Sequence, residues 1–259
     1  MPDQEDSTCH SAQINQERVN LTPIAHIRSC YPERFGIPRQ AGLVPSATAT
    51  ISFAHTQFNK LSLRGIECFS HLWVIFLLHQ SYAKTKPLVQ PPRLGGKKTM
   101  GVYATRSPNR PNLIGLSAVP LKQVEYQSHQ ILLHIQGGDF LDGTPVLDIK
   151  PYVPYADAIA TATTTWATET DSLPVTWSTL AESTLNARII DVEWLRTLVT
   201  DTIAQDPRPA HERGKDGRPG QEWNMRLAGL DVFWQVEAGI ATVTRLAQVL
   251  QSPRAEHQP

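Results

Sequence analysis

Between residue 21 and about residue 150 the apolar positions come in short runs, broken every few residues by Pro and Gly. Residues 48–54 partly alternate between polar and apolar, which predicts a half-buried strand. Residues 72–78 (LWVIFLL) are apolar throughout and rich in β-formers, which predicts a strand buried on both faces. Further strands are predicted over 101–104, 115–119 and 130–136. Turn clusters separate them: Pro91-Pro92, Gly95-Gly96, Ser107-Pro108, Arg110-Pro111-Asn112, Gly137-Gly138 and Asp142-Gly143. Many short strands with frequent turns read as a sandwich or a barrel. The strand–helix alternation of a parallel sheet is missing.

Beyond residue 156 the texture changes. Residues 156–187 are rich in Ala and Thr and predict a connecting region. Ile190, Trp194, Leu195, Leu198, Val199, Thr202 and Ile203 then recur at helical spacing, and Pro207 ends that helix. After a Gly-rich loop over 214–220, strands are predicted over 223–227, 232–236 and 241–246, with Gly229 and Gly239 in the turns. The expected organisation is a disordered leader (1–20), a mainly β domain (21–157), a connector (158–187), a C-terminal α+β domain (188–251) and a tail (252–259).

Composition narrows the class. The chain has 259 residues, 41% hydrophobic and 19% charged, which suits a cored globular protein rather than a disordered one. A seven-residue apolar run is too short to cross a bilayer, which takes about 20 residues as a helix. The acidic start MPDQED has no apolar segment of the kind a signal peptide carries, so a cytoplasmic protein is expected. Cys9, Cys30 and Cys68 fit neither a disulfide framework nor a zinc signature. The formal net charge is zero, yet no Asp or Glu occurs from Cys68 to Val124. That stretch carries Lys84, Lys86, Arg93, Lys97, Lys98, Arg106, Arg110 and Lys122. Such a belt is either a solvated face or a surface for phosphate or nucleic acid.

Three loops are dense in polar side chains: Pro38-Arg39-Gln40, the segment 91–112 with Arg106 and Arg110, and Asp142-Gly143-Thr144-Pro145. Each is a turn by composition. Each also offers donors on a Pro-stiffened backbone, which suits carboxylate, ribose or phosphate recognition. His71 and His79, eight positions apart on one predicted strand, have no acid nearby, and no metal site is expected. His79-Gln80 at the strand end could face a ligand. There is no G-x-G-x-x-G, no P-loop and no G-x-S-x-G elbow. In AQDPRPA (204–210), Asp206 and Arg208 sit on a stiff turn that is either helix punctuation or a charged pair put to use.

Several long strings occur in a known order: FGIPRQAGLVP (35–45), FSHLWVIFLLHQ (69–80), PPRLGG (91–96), GVYATRSPNRPNLIGLS (101–117) and DGTPVLDIKPYVPYAD (142–157). Together they closely resemble the TsaA-like family, and the weaker AQDPRPA string extends the resemblance. The resemblance implies a small non-Rossmann β-barrel that binds S-adenosyl-L-methionine, usually as a homodimer. It implies methyl transfer to N6 of threonylcarbamoyl-adenosine next to the anticodon of threonine-accepting tRNA. By similarity, the cofactor contacts fall on Pro38, Arg39, Gln40, His79, Gln80, Arg106, Leu116, Asp142, Gly143, Thr144 and Pro145. Asp206 is the candidate base, Arg208 would help hold the modified nucleotide, and Lys97, Lys98 and Arg110 would meet the tRNA. The chain departs from the family pattern at Asn109, Leu113 and His211. The alternatives are a non-catalytic nucleotide- or RNA-binding module and a methyltransferase for another small substrate. Because all expected cofactor contacts precede residue 158, the barrel alone is expected to keep its cofactor affinity.

Overall fold

The computed structural model describes residues 19–81, 86–95, 98–167, 172–187 and 191–249. Among them the chain forms β1 (Ala25–Ser29), β2 (Thr48–Ala54), α1 (Gln57–Ser62), β3 (His71–Leu77), β4 (Leu88–Val89), β5 (Met100–Gly101), β6 (Ile114–Tyr126), β7 (Gln130–Gln136), β8 (Pro145–Pro151) and α2 (Pro154–Asp157). The second part comprises β9 (Val175–Trp177), α3 (Thr179–Asn186), α4 (Val192–Ala204), β10 (Trp223–Leu227), β11 (Leu230–Glu237) and β12 (Ile240–Gln248). No helix among the described residues is long and apolar enough to cross a membrane.

Six strands close into a barrel in the order β1-β2-β7-β6-β3-β8, every neighbour antiparallel. Alternation decides what fills it: Ala49, Ile51 and Phe53 of β2, Leu72, Val74 and Phe76 of β3, and Ile131, Leu133 and Ile135 of β7 point inward and are buried. β3 is therefore fully buried on one face only, because Trp73, Ile75 and Leu77 on its outer face keep partial exposure. Its continuous apolar run concealed that asymmetry. β6 runs along β3 with its first half and along β7 with its second, and the register shift between Leu121 and Gln123 marks the change of partner. The strand predicted over 101–104 is two residues long and turns into a 3-10 helix over Val102–Ala104.

The second unit is a four-stranded sheet, β10-β11-β12-β9, covered on one face by α3 and α4. The predicted connector over 158–187 contains β9 and α3, so its C-terminal half belongs to this sheet. β9 pairs parallel with the edge of β12. Asp191 caps α4 by accepting a hydrogen bond from the Trp194 N–H at 3.0 Å. Leu195, Leu198, Val199, Thr202 and Ile203 form its buried face. The hairpin turns place Ala228-Gly229 and Ala238-Gly239 at positive φ, the backbone that a two-residue type I′ turn requires. The leader before residue 19, the tail beyond residue 249 and Ile190 lie outside the described residues.

Candidate active site at the barrel rim

An eight-stranded barrel has an interior just wide enough for its own side chains, and six strands leave less. Any cofactor must therefore sit outside the core. Antiparallel registry fixes where. The connections 30–47, 78–113 and 137–144 leave from the ends of β1, β3 and β7, and pairing puts those ends on one rim. All eleven residues expected at the cofactor lie on these connections or within the first strand residues that follow them.

The loop 30–47 is tied to the rim by two backbone hydrogen bonds, Gly42 N–H to Gly137 O at 2.8 Å and Gly137 N–H to Ala47 O at 2.7 Å. Gln40 Oε1 accepts a hydrogen bond from the Arg106 guanidinium, which brings the first and second polar loops into contact. Arg34 donates to the Gln80 carbonyl at 3.4 Å, so the HQ pair borders the same loop. The loop after Ala104 is braced from within. Ser81 Oγ donates to Asn109 Oδ1 at 2.8 Å, and Arg110 donates to the Thr105 carbonyl at 3.1 Å. Asn109 thus has a local partner where the family pattern has another residue. Arg110, expected to meet tRNA, uses one guanidinium nitrogen, Nη1, on its own loop. Leu116 is 56% exposed on the outer wall.

The Asp-Gly-Thr-Pro turn is partly structural. Asp142 Oδ1 accepts from the Ser29 N–H at 2.9 Å, and buried Thr144 donates to the Leu141 carbonyl at 2.7 Å. Gly143, at φ +77°, has no atom within 4 Å of the place a Cβ would take, so its backbone is open to approach. Asp139, on the same connection, was not singled out by sequence. It accepts from Ser117 Oγ at 2.6 Å. Burial pushes its carboxyl pKa up, against that hydrogen bond and the charge of Arg106. An isolated acid after the Gly137-Gly138 turn was its only sequence signal.

The C-terminal unit reaches the same rim. Asp206 follows α4 at φ +44°, a left-handed backbone that a non-glycine residue adopts at some cost. Its two carboxylate oxygens accept from Arg208 Nε at 2.7 Å and Nη2 at 2.8 Å. Arg208 Nη1 donates to the Lys215 carbonyl at 3.0 Å, and the Arg208 side chain is 1% exposed. Arg208, expected to help hold the modified nucleotide, is an internal brace in this structure: each of its nitrogens donates to Asp206 or Lys215. Asp206 clamps that brace with both carboxylate oxygens. His211 is exposed beside Glu212. Lys98 is exposed, and Lys97 lies outside the described residues.

Two concavities adjoin the rim. One, of about 100 Å³, lies between the loop 34–43, Arg93, the end of α4 and Arg213. The other, an open cleft of about 680 Å³, runs between the outer wall of the barrel and Trp194 of α4 and is lined by Arg28, Lys122 and His134. His79 sits just past β3, at the opposite end from His71. Among the described residues no three His, Cys, Asp or Glu side chains group as metal ligands.

Residues 26–158 match the family model for the tRNA-methyltransferase O N-terminal domain, and residues 170–249 match that for the TrmO C-terminal domain. The Escherichia coli tRNA (adenine(37)-N6)-methyltransferase is 39% identical over 216 residues, covering 82% of this chain and 91% of that protein. RcsF of Pseudomonas aeruginosa, whose name places it among S-adenosylmethionine-dependent methyltransferases, is 42% identical over 218 residues, covering 83% of this chain and 91% of its own. The crystal structure of TrmO from P. aeruginosa superposes with a TM-score of 0.72 at 36% identity, covering 91% of this chain and all (100%) of that one. With both domain models matched in order on one chain and a solved TrmO aligned over 91% of it, this chain belongs to the tRNA-methyltransferase O family.

Proposed function

We propose that the chain is an S-adenosylmethionine-dependent tRNA methyltransferase that methylates N6 of adenosine 37. The observation that carries this is the rim: Arg106 of the second loop meets Gln40 of the first and acts electrostatically on Asp139 of the third, outside a filled barrel and beside a second domain. The donor set fits the cofactor, since Arg106 and Gln40 suit a carboxylate or ribose and exposed Leu116 suits an apolar ring face. S-adenosylmethionine, when bound, supplies an electrophilic methyl group on a sulfonium centre. The protein's part is to hold the accepting nitrogen in line and to exclude water.

The finer reading is that the adenosine carries a threonylcarbamoyl group and that the tRNA is threonine-accepting. An acylated N6 must lose a proton. We assign its acceptance to Asp139, which stands beside Arg106 and whose burial raises its affinity for a proton. Asp206 positions the loop 206–215 through Arg208. The open cleft with Arg28 and Lys122 is the track for tRNA phosphates. We place the enzyme in the cytoplasm as a homodimer.

Transfer of labelled methyl to tRNA, read by nucleoside mass spectrometry, tests the activity. Methylated adenosine 37 is expected, and cofactor binding without transfer would leave only a binding module. Arg106→Ala should weaken S-adenosylhomocysteine binding by about 10- to 150-fold, the value of one charge-assisted contact. Unchanged affinity removes Arg106 from the site. Asp139→Asn should lower turnover by about 10²–10⁴-fold, and a near-normal rate rejects it as the base.

A further inference from the structure

The 100 Å³ cavity at the domain junction has four arginines among its lining residues. Arg34 and Arg39 come from the barrel loop, Arg93 from the second rim connection and Arg213 from the C-terminal loop. Arg39 Nη2 is buried and has no hydrogen-bond partner among the described residues. A buried charged donor without an acceptor is unfavourable, and like charges close together repel one another. Burial, together with the charge of Arg93, lowers the pKa of Arg39. The nearby acid, Asp206, already accepts from Arg208 with both oxygens. Each of these strains is relieved by one compact anion with two or three acceptor oxygens.

We propose that this cavity is an oxyanion site that takes a carboxylate carried on the N6 substituent of the substrate adenosine. The inference rests on the adenosine-37 methyltransferase reading. Size and shape favour a terminal carboxylate. A phosphodiester extends a chain in both directions and needs an open groove, such as the cleft at Arg28 and Lys122. A carboxylate enters end-on and matches the planar fork of Arg in bidentate contact. Thr202, Gln205, Pro207 and Arg213 bring the second domain into the lining. The C-terminal unit therefore completes a pocket that the barrel cannot close alone.

The test uses the full chain saturated with S-adenosylhomocysteine. Two anticodon stem-loops are titrated, one with N6-threonylcarbamoyl-adenosine at position 37 and one with unmodified adenosine there. Wild type should bind the modified loop at least about tenfold tighter, as one charge-assisted contact implies. Arg34→Gln and Arg213→Gln should each erase most of that preference. Affinity for the unmodified loop and for S-adenosylhomocysteine should stay within about threefold. Arg213 Nε donates to the Arg208 carbonyl at 2.9 Å, so its variant could disturb the loop; Arg34 is exposed, and its variant decides if the other melts early. Equal loss on both stem-loops with a shallower salt dependence would overturn the proposal in favour of a backbone phosphate. Loss of S-adenosylhomocysteine affinity would overturn it in favour of the cofactor's own carboxylate. No preference in wild type would also overturn it. Failure of the enzymatic reading itself shows separately, as absence of methyl transfer by wild type.

Discussion

The barrel and the C-terminal sheet solve the problem of burying apolar surface in different ways. The barrel closes on itself, and the side chains of its core come from the barrel strands and the segments around them. The C-terminal sheet is open, with helices on one face, and its core is incomplete without the other domain. Cys30, Tyr31, Val44 and Ala47, all from the first rim loop, are buried in the C-terminal cluster, and Phe35 stacks on Trp234 with ring centroids 6.1 Å apart. Polar links follow the same loop. Ser46 Oγ donates to Asp201 at 2.6 Å, the Ala228 N–H donates to the Cys30 carbonyl at 2.8 Å, and the Trp194 indole donates to the Ser46 carbonyl at 2.9 Å. The loop that carries Pro38, Arg39 and Gln40 is thus shaped by both units. The barrel rim and the C-terminal domain are mechanically one.

The strongest way to break this comparison is to remove one side. A chain ending at residue 157 leaves Tyr31 and Val44 exposed and the loop without its second anchor. S-adenosylhomocysteine affinity should then fall well beyond tenfold, against the within-a-few-fold retention expected of two separate domains. Calorimetry showing near-normal affinity would restore the simpler division. The next largest effect is expected at the buried pair. Asp206→Asn leaves the Arg208 charge without its partner and should cost about 3–5 kcal/mol of stability, the usual range for breaking a buried ion pair. A melting temperature near wild type would mean that solvent or another group takes over.

A smaller effect sharpens the point. Val44→Ala removes roughly two methyl-sized groups and should cost about 2 kcal/mol. Although Val44 precedes β2 in the barrel's own chain, hydrogen exchange should accelerate in β10 to β12 and not in β2 or β7. Acceleration in the barrel strands instead would assign the loop to the barrel core. The smallest effect concerns pH. Asp139 has a raised pKa, so its contribution to stability is present in acid and is lost as pH rises through its folded value, upward from about 4. Glu182 has a lowered pKa because it is held by Arg196 through two hydrogen bonds, so its contribution is present above about 4.3 and is lost as pH falls through its folded value. Acid should therefore favour the rim and disfavour the α3–α4 pair. Melting curves of Asp139→Asn and Glu182→Gln from pH 3 to 7 should diverge in opposite senses from wild type, and parallel curves would sink the contrast.

Much of this molecule was legible one segment at a time. The partial alternation over 48–54 and the 3.6-residue period over 194–203 marked elements that exist, because each follows from which face of a local structure is apolar. The strings around Pro38, Arg106 and Asp142 marked the rim, since dense polar loops between strands have few places to go in an antiparallel barrel. Periodicity does not say what an apolar face packs against. Tyr31, Val44 and Ala47 follow no period and read as loop, yet they complete the second core. β9 has three residues, too few to carry a pattern, and is a strand only because the edge of β12 accepts it. Arg208 looked like a free cation because sequence shows its charge and not its burial. Arg34 and Arg39 share one loop, but Arg93 and Arg213 lie far from it along the chain, and their convergence on one cavity is a property of chain path alone: the sequence set the charges and the local faces, while the closing of the barrel and the docking of α4 decided which of them share a space.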